Sequence, residues 1–273
     1  MECKLDQITV HYEIYGTGTP MLLLHGFSCD HRLMTGCMEP IFAQRSGWQR
    51  IYVDLPGMGQ TKGEDWLNCS DDILSVLEQF VDKILPGQSF VVAGESYGGY
   101  LSRGLVAKRP EQVDGMLLIC PVGNPYGREL PPFTVLAKDE SFLADLKHPQ
   151  IEEFTSMHVV QDRYNWERFE AEILSGVSIA DQRVLDRIRQ RYGFSFIPEE
   201  QFTIYENPVL ILAGKQDHIV GYQDQWKLME KYSRASYAVL DRAGHNLQIE
   251  QNHLFNALVN EWLDRVEEHR SLL

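Results

Sequence analysis

Six short apolar runs recur along the chain: 21–24 (MLLL), 51–53 (IYV), 90–93 (FVVA), 116–119 (MLLI), 209–212 (VLIL) and 237–240 (YAVL). None contains a charged position, so each reads as a buried strand. Between most of them the spacing turns helical. The segment 70–85 is the clearest case, with Ile73, Val76, Leu77, Phe80, Val81 and Ile84 on one face. Ser70 is placed to cap this helix, Asp71 and Asp72 suit the positive end of its dipole, and Pro86-Gly87 ends it. The C-terminal segment repeats the pattern through Leu254, Phe255, Leu258, Val259, Trp262, Leu263 and Val266. At the start of the chain Val10, Tyr12 and Ile14 alternate with polar residues, as a half-buried strand does. Buried strands alternating with helices predict the α/β class, a mostly parallel sheet covered on both faces.

From Val122 to Tyr205 the rhythm breaks, and it resumes only at Pro208. A parallel crossover needs a dozen or so residues. Residues 122–205 are therefore expected to be an inserted helical layer between two pieces of one core, 1–121 and 206–273. Within the insert, Trp166, Phe169 and Ile173 fall at helical spacing, as do Val184, Leu185, Ile188 and Tyr192. Its aromatic residues can form the insert's own core or line a pocket beneath it.

Composition narrows the partners. The formal charge of 25 − 39 = −14 opposes binding to a phosphate backbone, so no nucleic-acid partner is expected. No stretch approaches the ~20 apolar residues of a membrane span, and the N-terminus lacks the charged-then-apolar pattern of a signal peptide. Five cysteines without a CxxC pair suit a reducing compartment, and a cytoplasmic protein is expected. Nothing in the pattern specifies an oligomeric state.

The chemistry concentrates at Gly94-Glu95-Ser96-Tyr97-Gly98, which matches G-x-S-x-G between a predicted strand and a predicted helix. A serine exposed at the tip of such a turn sits on strained backbone, at a cost of order 1–3 kcal/mol. The glycines on either side then permit close backbone approach. Serine is a poor nucleophile near neutral pH and needs a histidine to take its proton and an acid to orient that histidine. Asp217 and His245 stand on the loops after the last two predicted strands, 209–212 and 237–240, at the same sheet edge as Ser96. The rivals fit less well. His218 adjoins Asp217, His253 falls on the last helix, and Asp241 reads as a turn residue. The loop after the 116–119 run, CPVGNPYG, has no carboxylate. The Phe27 backbone, on the turn after the 21–24 run, and the Tyr97 backbone can donate to an oxyanion; His25 reads as structural.

Taken together, HGF, GESYGG, GKQD and AGH, in that order and each following a strand, resemble the α/β-hydrolase superfamily over essentially the whole chain. DLPGMGQT at 54–61 is similar to that family's loop after the fourth strand. The resemblance implies an α/β-hydrolase fold, with an eight-stranded, mostly parallel sheet flanked by helices and an inserted helical lid at 122–205. It implies Ser96 as nucleophile, His245 as base and Asp217 as acid, with Phe27 and Tyr97 forming the oxyanion hole. It does not specify a substrate.

No cofactor is expected. Gly16-Thr17-Gly18 lacks the third glycine of a dinucleotide loop and reads as a turn, GMGQTK lacks phosphate-loop spacing, and no metal-ligand spacing is recognisable. Arg183, Arg187, Arg189 and Arg191 offer charge for an anionic substrate, but the interleaved Asp181 and Asp186 favour a solvated face. Glu95 reads equally as an acceptor within the turn or as a group at the entrance. The expected activity is a cofactor-independent serine hydrolase (carboxylesterase-like) acting on carboxylic esters of small, partly apolar molecules. Two alternatives stand beside it. One is an aminopeptidase or amidase, with an amine held by Glu152, Glu153, Glu167 or Glu170. The other is a signalling or ligand-binding protein with little turnover.

Overall fold

The computed structural model describes residues 1–272. Eight strands form one sheet: β1 (Glu2–Lys4), β2 (Thr9–Tyr15), β3 (Thr19–Leu24), β4 (Trp48–Val53), β5 (Phe90–Glu95), β6 (Val113–Ile119) and, beyond an intervening stretch with the two-residue pair β7 (Ala137–Lys138) and β8 (Val160–Gln161), β9 (Val209–Gly214) and β10 (Ala235–Leu240). Their spatial order is β1-β2-β4-β3-β5-β6-β9-β10. β2 alone is reversed, pairing antiparallel with β1 and β4, and every other pairing in the sheet is parallel. All six apolar runs lie inside strands. The 237–240 run is not a buried one, however: β10 is the sheet edge and is only half covered.

The register positions the site. Leu24 sits opposite Val53 and Gly94, Gly94 opposite Leu118, Ile119 opposite Leu212 and Gly214 opposite Leu240. The parallel strands therefore end side by side, and the loops that follow them gather at one edge. Helices 31–42 and 252–270 cover one face; helices 70–84 and 97–108 cover the other. The capping expectation at Ser70 needs correction. Cys69 is the cap residue, with its backbone N–H donated to Asp72, and Ser70 is the first helical residue. The Ser70 hydroxyl instead lies 2.8 Å from the Tyr97 hydroxyl and donates to the Tyr192 carbonyl at 2.6 Å. A buried tyrosine hydroxyl needs such a partner.

Between β6 and β9 the chain carries only short helices, Glu140–Asp145, Ile151–Met157, Arg163–Phe169 and Gln182–Gln190 among them, with a π-turn at Glu170–Leu174. They pack in two ways. Phe142, Phe154, Trp166, Phe169, Ile173 and Leu174 join Cys29, Leu33 and Ile249 in a separate apolar cluster. Val184, Leu185, Ile188 and Phe194 belong to the main core. A buried ion pair fastens the end of this stretch: the Arg103 guanidinium donates to both Glu199 carboxylate oxygens, at 2.6 and 2.7 Å, and Tyr232 donates to the same carboxylate at 2.8 Å. No helix among the described residues is long and apolar enough to cross a membrane.

Candidate active site

Ser96 ends the turn between β5 and helix 97–108 with φ +52° and ψ −110°, a conformation that L-residues rarely adopt. The glycines around it are required by space. A Cβ on Gly94 would collide with the Gly98 carbonyl, one on Gly98 with the Leu24 carbonyl, and one on Gly99 would crowd Pro121. The turn is thus pressed against the end of β3, and the serine is held at the rim of the sheet.

Three side chains from three loops converge here. The Ser96 hydroxyl is 2.9 Å from His245 Nε2, and His245 Nδ1 is 2.9 Å from Asp217 Oδ2. Asp217 is fully buried, and its other oxygen accepts the backbone N–H groups of Ile219 and Val220 at 2.9 and 3.0 Å. Those two bonds fix the carboxylate, so Nδ1 carries a proton and Nε2 is left to accept. The rivals lie elsewhere. His253 is exposed on the last helix, Asp241 is exposed beside Lys215, and His218 packs against Phe133.

Phe27 lies on the cavity wall, and Tyr97 contributes the first N–H of helix 97–108. Among the described residues neither backbone N–H has an acceptor. Free N–H groups beside a serine can receive an oxyanion. His25 is fully buried. Its Nε2 accepts the Leu55 N–H at 3.0 Å and its Nδ1 donates to the Gly26 carbonyl at 2.7 Å, so it ties two loops together as a neutral ring. Burial lowers its pKa in keeping with that role.

Glu95 is decided by the structure: it is 3% exposed and faces the cavity, with Oε1 3.4 Å from His245 Nε2. A side chain on Gly26 would fill the space its carboxyl occupies. Burial pushes this carboxyl up to about 7, with His245 pulling the other way. For His245, burial opposes the charged form, but Asp217 and Glu95 outweigh it and hold the imidazole above its ordinary value.

A second buried carboxylate supports the histidine loop from behind. Glu250 accepts the N–H of Gly244 at 2.6 Å and those of Val159 and Val160 at 2.6 and 3.2 Å. Beside it His158 is fully buried and bonded to Asn246 at 2.9 Å, and burial depresses its pKa to about 3. Nothing in the sequence pattern singles out these residues, because a glutamate on a short helix carries no signal of what it will cap.

The cavity above Ser96 has a volume of about 440 Å³. Cys29, Leu33, Met157, Ile173 and Val177 line one part of it, all from the separate apolar cluster. Phe27, Tyr192 and Ile219, which pack on the main core, line another, together with Arg128 and Arg189. The expectation of a solvated arginine face holds for Arg183, which is exposed and paired with Asp181, and for Arg189, which is exposed and paired with Asp186 although it also borders the cavity. Of the four candidate carboxylates, Glu153 lines the cavity, while Glu152, Glu167 and Glu170 are exposed and do not.

Two groups could offer three metal ligands each, His11/His31/Asp54 and Cys120/Asp217/His245, their donor atoms within 4.8 Å of one another. Neither fits a metal well. The imidazoles already bond to the aspartates, and burial holds the Cys120 thiol protonated.

An open parallel sheet with a serine on a strained strand-to-helix turn, a histidine and a buried aspartate at its C-terminal edge is the arrangement of the α/β hydrolases, and the chain belongs to that family. The family described as alpha/beta hydrolase fold matches residues 19–251. The chain is similar to a crystallised alpha/beta superfamily hydrolase from Oenococcus oeni PSU-1, with 30% identity and a TM-score of 0.88 over 98% of this chain and 99% of that one. It is also similar to a pimeloyl-[acyl-carrier protein] methyl ester esterase of Legionella pneumophila (strain Corby), 24% identical over 94% of this chain and all of that protein. A third relative is a 2-hydroxy-6-oxo-2,4-heptadienoate hydrolase of Pseudomonas putida, 24% identical over 91% and 90% of the two chains. Family and relatives together support a hydrolase.

Proposed function

We propose that the chain is a cofactor-independent serine hydrolase acting on carboxylic esters of small, partly apolar molecules. The observation that carries this reading is the unbroken relay Ser96–His245–Asp217, with both links at 2.9 Å, beneath a largely apolar cavity. In this reading Ser96 Oγ attacks the ester carbonyl while its proton passes to His245 Nε2. Asp217 holds the ring and stabilises the imidazolium, and the Phe27 and Tyr97 N–H groups receive the oxyanion. Collapse expels the alcohol, which takes the proton from His245. Water, deprotonated by the same nitrogen, then releases the acid and restores the serine. Residues 122–205 act as the lid over a core formed by 1–121 and 206–273. The test is intact-mass analysis after treatment with a small fluorophosphonate. A single adduct on the wild type and none on Ser96→Ala supports the reading; no adduct on either overturns it and favours a ligand-binding protein.

A second reading, an aminopeptidase or amidase on the same relay, draws on Glu153, whose carboxylate lines the cavity. Faster turnover of free than of N-blocked aminoacyl substrates would select it.

A further inference from the structure

Arg128 is the cation in the cavity that no carboxylate answers. It lies on the loop after β6 and lines the pocket beside Pro125, Ile219 and Val220. Its guanidinium is fixed by two backbone carbonyls, with Nη1 donating to Ile219 at 3.0 Å and Nε to Asn124 at 3.3 Å, and it rests 5.7 Å from the centre of the Tyr192 ring. Among the described residues it forms no ion pair, and the one side chain it engages is the neutral Tyr192 phenol. Arg189 in the same cavity is different. It stacks over Phe27 at 5.2 Å, but its charge is answered by Asp186 at 2.6 Å. A guanidinium held by carbonyl groups keeps its full charge and its remaining donors in a fixed fork, the geometry that a carboxylate accepts.

The surroundings give direction to the ligand. Arg128 lines the cavity against Tyr192 and Ile219, which pack on the main core, whereas Glu153 lies on helix 151–157 with Met157, which packs with the separate apolar cluster. A substrate carboxylate is attracted by Arg128 and repelled by Glu153. Ser96 and His245 line the same cavity. The Arg128 charge also bears on His245, where it opposes the imidazolium, so the two groups are close enough to feel each other through the cavity.

We propose that Arg128 forms an anion subsite of the active-site cavity and that the substrate is an ester bearing a free carboxylate. This rests on the serine-hydrolase reading above for the ester, but not for the anion. The carboxylate can come from the acyl side, as in a half-ester of a dicarboxylic acid, or from the alcohol side, as in an ester of a hydroxy acid.

The experiment compares mono-p-nitrophenyl glutarate with its neutral methyl ester, and 4-butyryloxybenzoate with its neutral methyl ester, in the wild type, Arg128→Gln, Arg183→Gln and Ser96→Ala. The expected result is a preference in kcat/KM for one anionic member over its neutral partner of roughly 10- to 100-fold, the range of a charge-assisted hydrogen-bonded pair. That ratio collapses towards one in Arg128→Gln and persists in Arg183→Gln; the pair that shows it tells which side carries the anion. Turnover that depends on Ser96 but shows no anion preference, or a preference unchanged in Arg128→Gln, overturns the subsite and leaves the hydrolase standing. A parallel titration of Ser96→Ala with glutarate and 4-hydroxybenzoate, with and without Arg128→Gln, needs no turnover. Binding that Arg128→Gln abolishes supports the subsite even if no ester is cleaved, and no saturable binding in either background counts against it.

Discussion

Two aspartates at the same sheet edge each hold a histidine by Nδ1, and only one of these pairs faces a serine hydroxyl. Asp217, after β9, binds His245; Asp54, after β4, binds His31 at 2.8 Å and His11 at 3.0 Å. Both carboxylates are fully buried. Asp54 takes two backbone N–H groups as well, from His31 and Gln60, so its four bonds knit β2, helix 31–42 and the 54–61 loop together. The difference lies at the far nitrogen of each ring. His245 Nε2 meets a serine on strained backbone under a cavity, while His31 Nε2 meets Glu13 at 3.5 Å. A histidine–aspartate pair is therefore a fastening by default. It becomes a proton relay only where an ionisable hydroxyl and room for a substrate lie beyond it.

Substitutions at matching positions break the comparison. Ser96→Ala should lower ester turnover by roughly 10⁴-fold or more, and Asp217→Asn by about 10⁴-fold through the wrong imidazole tautomer, each with little change in unfolding temperature. Asp54→Asn should do the reverse. Leaving two histidines without their shared carboxylate should cost about 3 kcal/mol, or roughly 6–12 °C in Tm, read by thermal denaturation. If Asp54→Asn instead abolished turnover in a fully folded protein, the division into relay and fastening would fail. Glu95→Gln sharpens the account at the relay. It removes a negative charge that favours the His245 imidazolium, so the acid limb of kcat/KM against pH should move to lower pH; an unmoved limb would make Glu95 a spacer.

The smallest effect concerns His31. Burial opposes its charge, but Asp54 outweighs that and raises its pKa in the folded state. The resulting stabilisation is complete below the unfolded-state value of about 6.5 and is lost as pH rises through the folded value. Denaturant unfolding at pH 6 and pH 8.5 should show this decline in the wild type and a shallower one in His31→Gln.

The sheet was legible because its strands are continuous apolar runs, and the relay because each member follows one of them on a short loop. His11 and His31 carried no such signal. His11 meets Asp54 because β2 pairs antiparallel with β4, and His31 because helix 31–42 starts on the loop after β3, the other neighbour of β4; both follow from register rather than from local spacing. Ser70 misled because a serine before an apolar helix face looks like a cap whether or not its hydroxyl is engaged by a tyrosine 27 residues away. Between β6 and β9 the helices are mostly one or two turns long, too short for periodicity to fix their bounds. Even across the π-turn at Glu170–Leu174, Trp166, Phe169 and Ile173 stay buried together, on the face that helical spacing predicts. Arg128 lies on a loop, where no periodicity reports which way a side chain points.

The Glu250 carboxylate has a bearing on how such a protein can diversify. One side chain serves amides at Val159 and Val160 and another at Gly244, directly before His245. The stretch over the cavity is thus not a freely exchangeable module. Its loops can lengthen, shorten or be recombined where they meet solvent, but a graft that displaces Val159 leaves a buried carboxyl group with amides missing and disturbs the histidine loop. The seam at which this region can be swapped between relatives runs around residues 159 and 160, not through them.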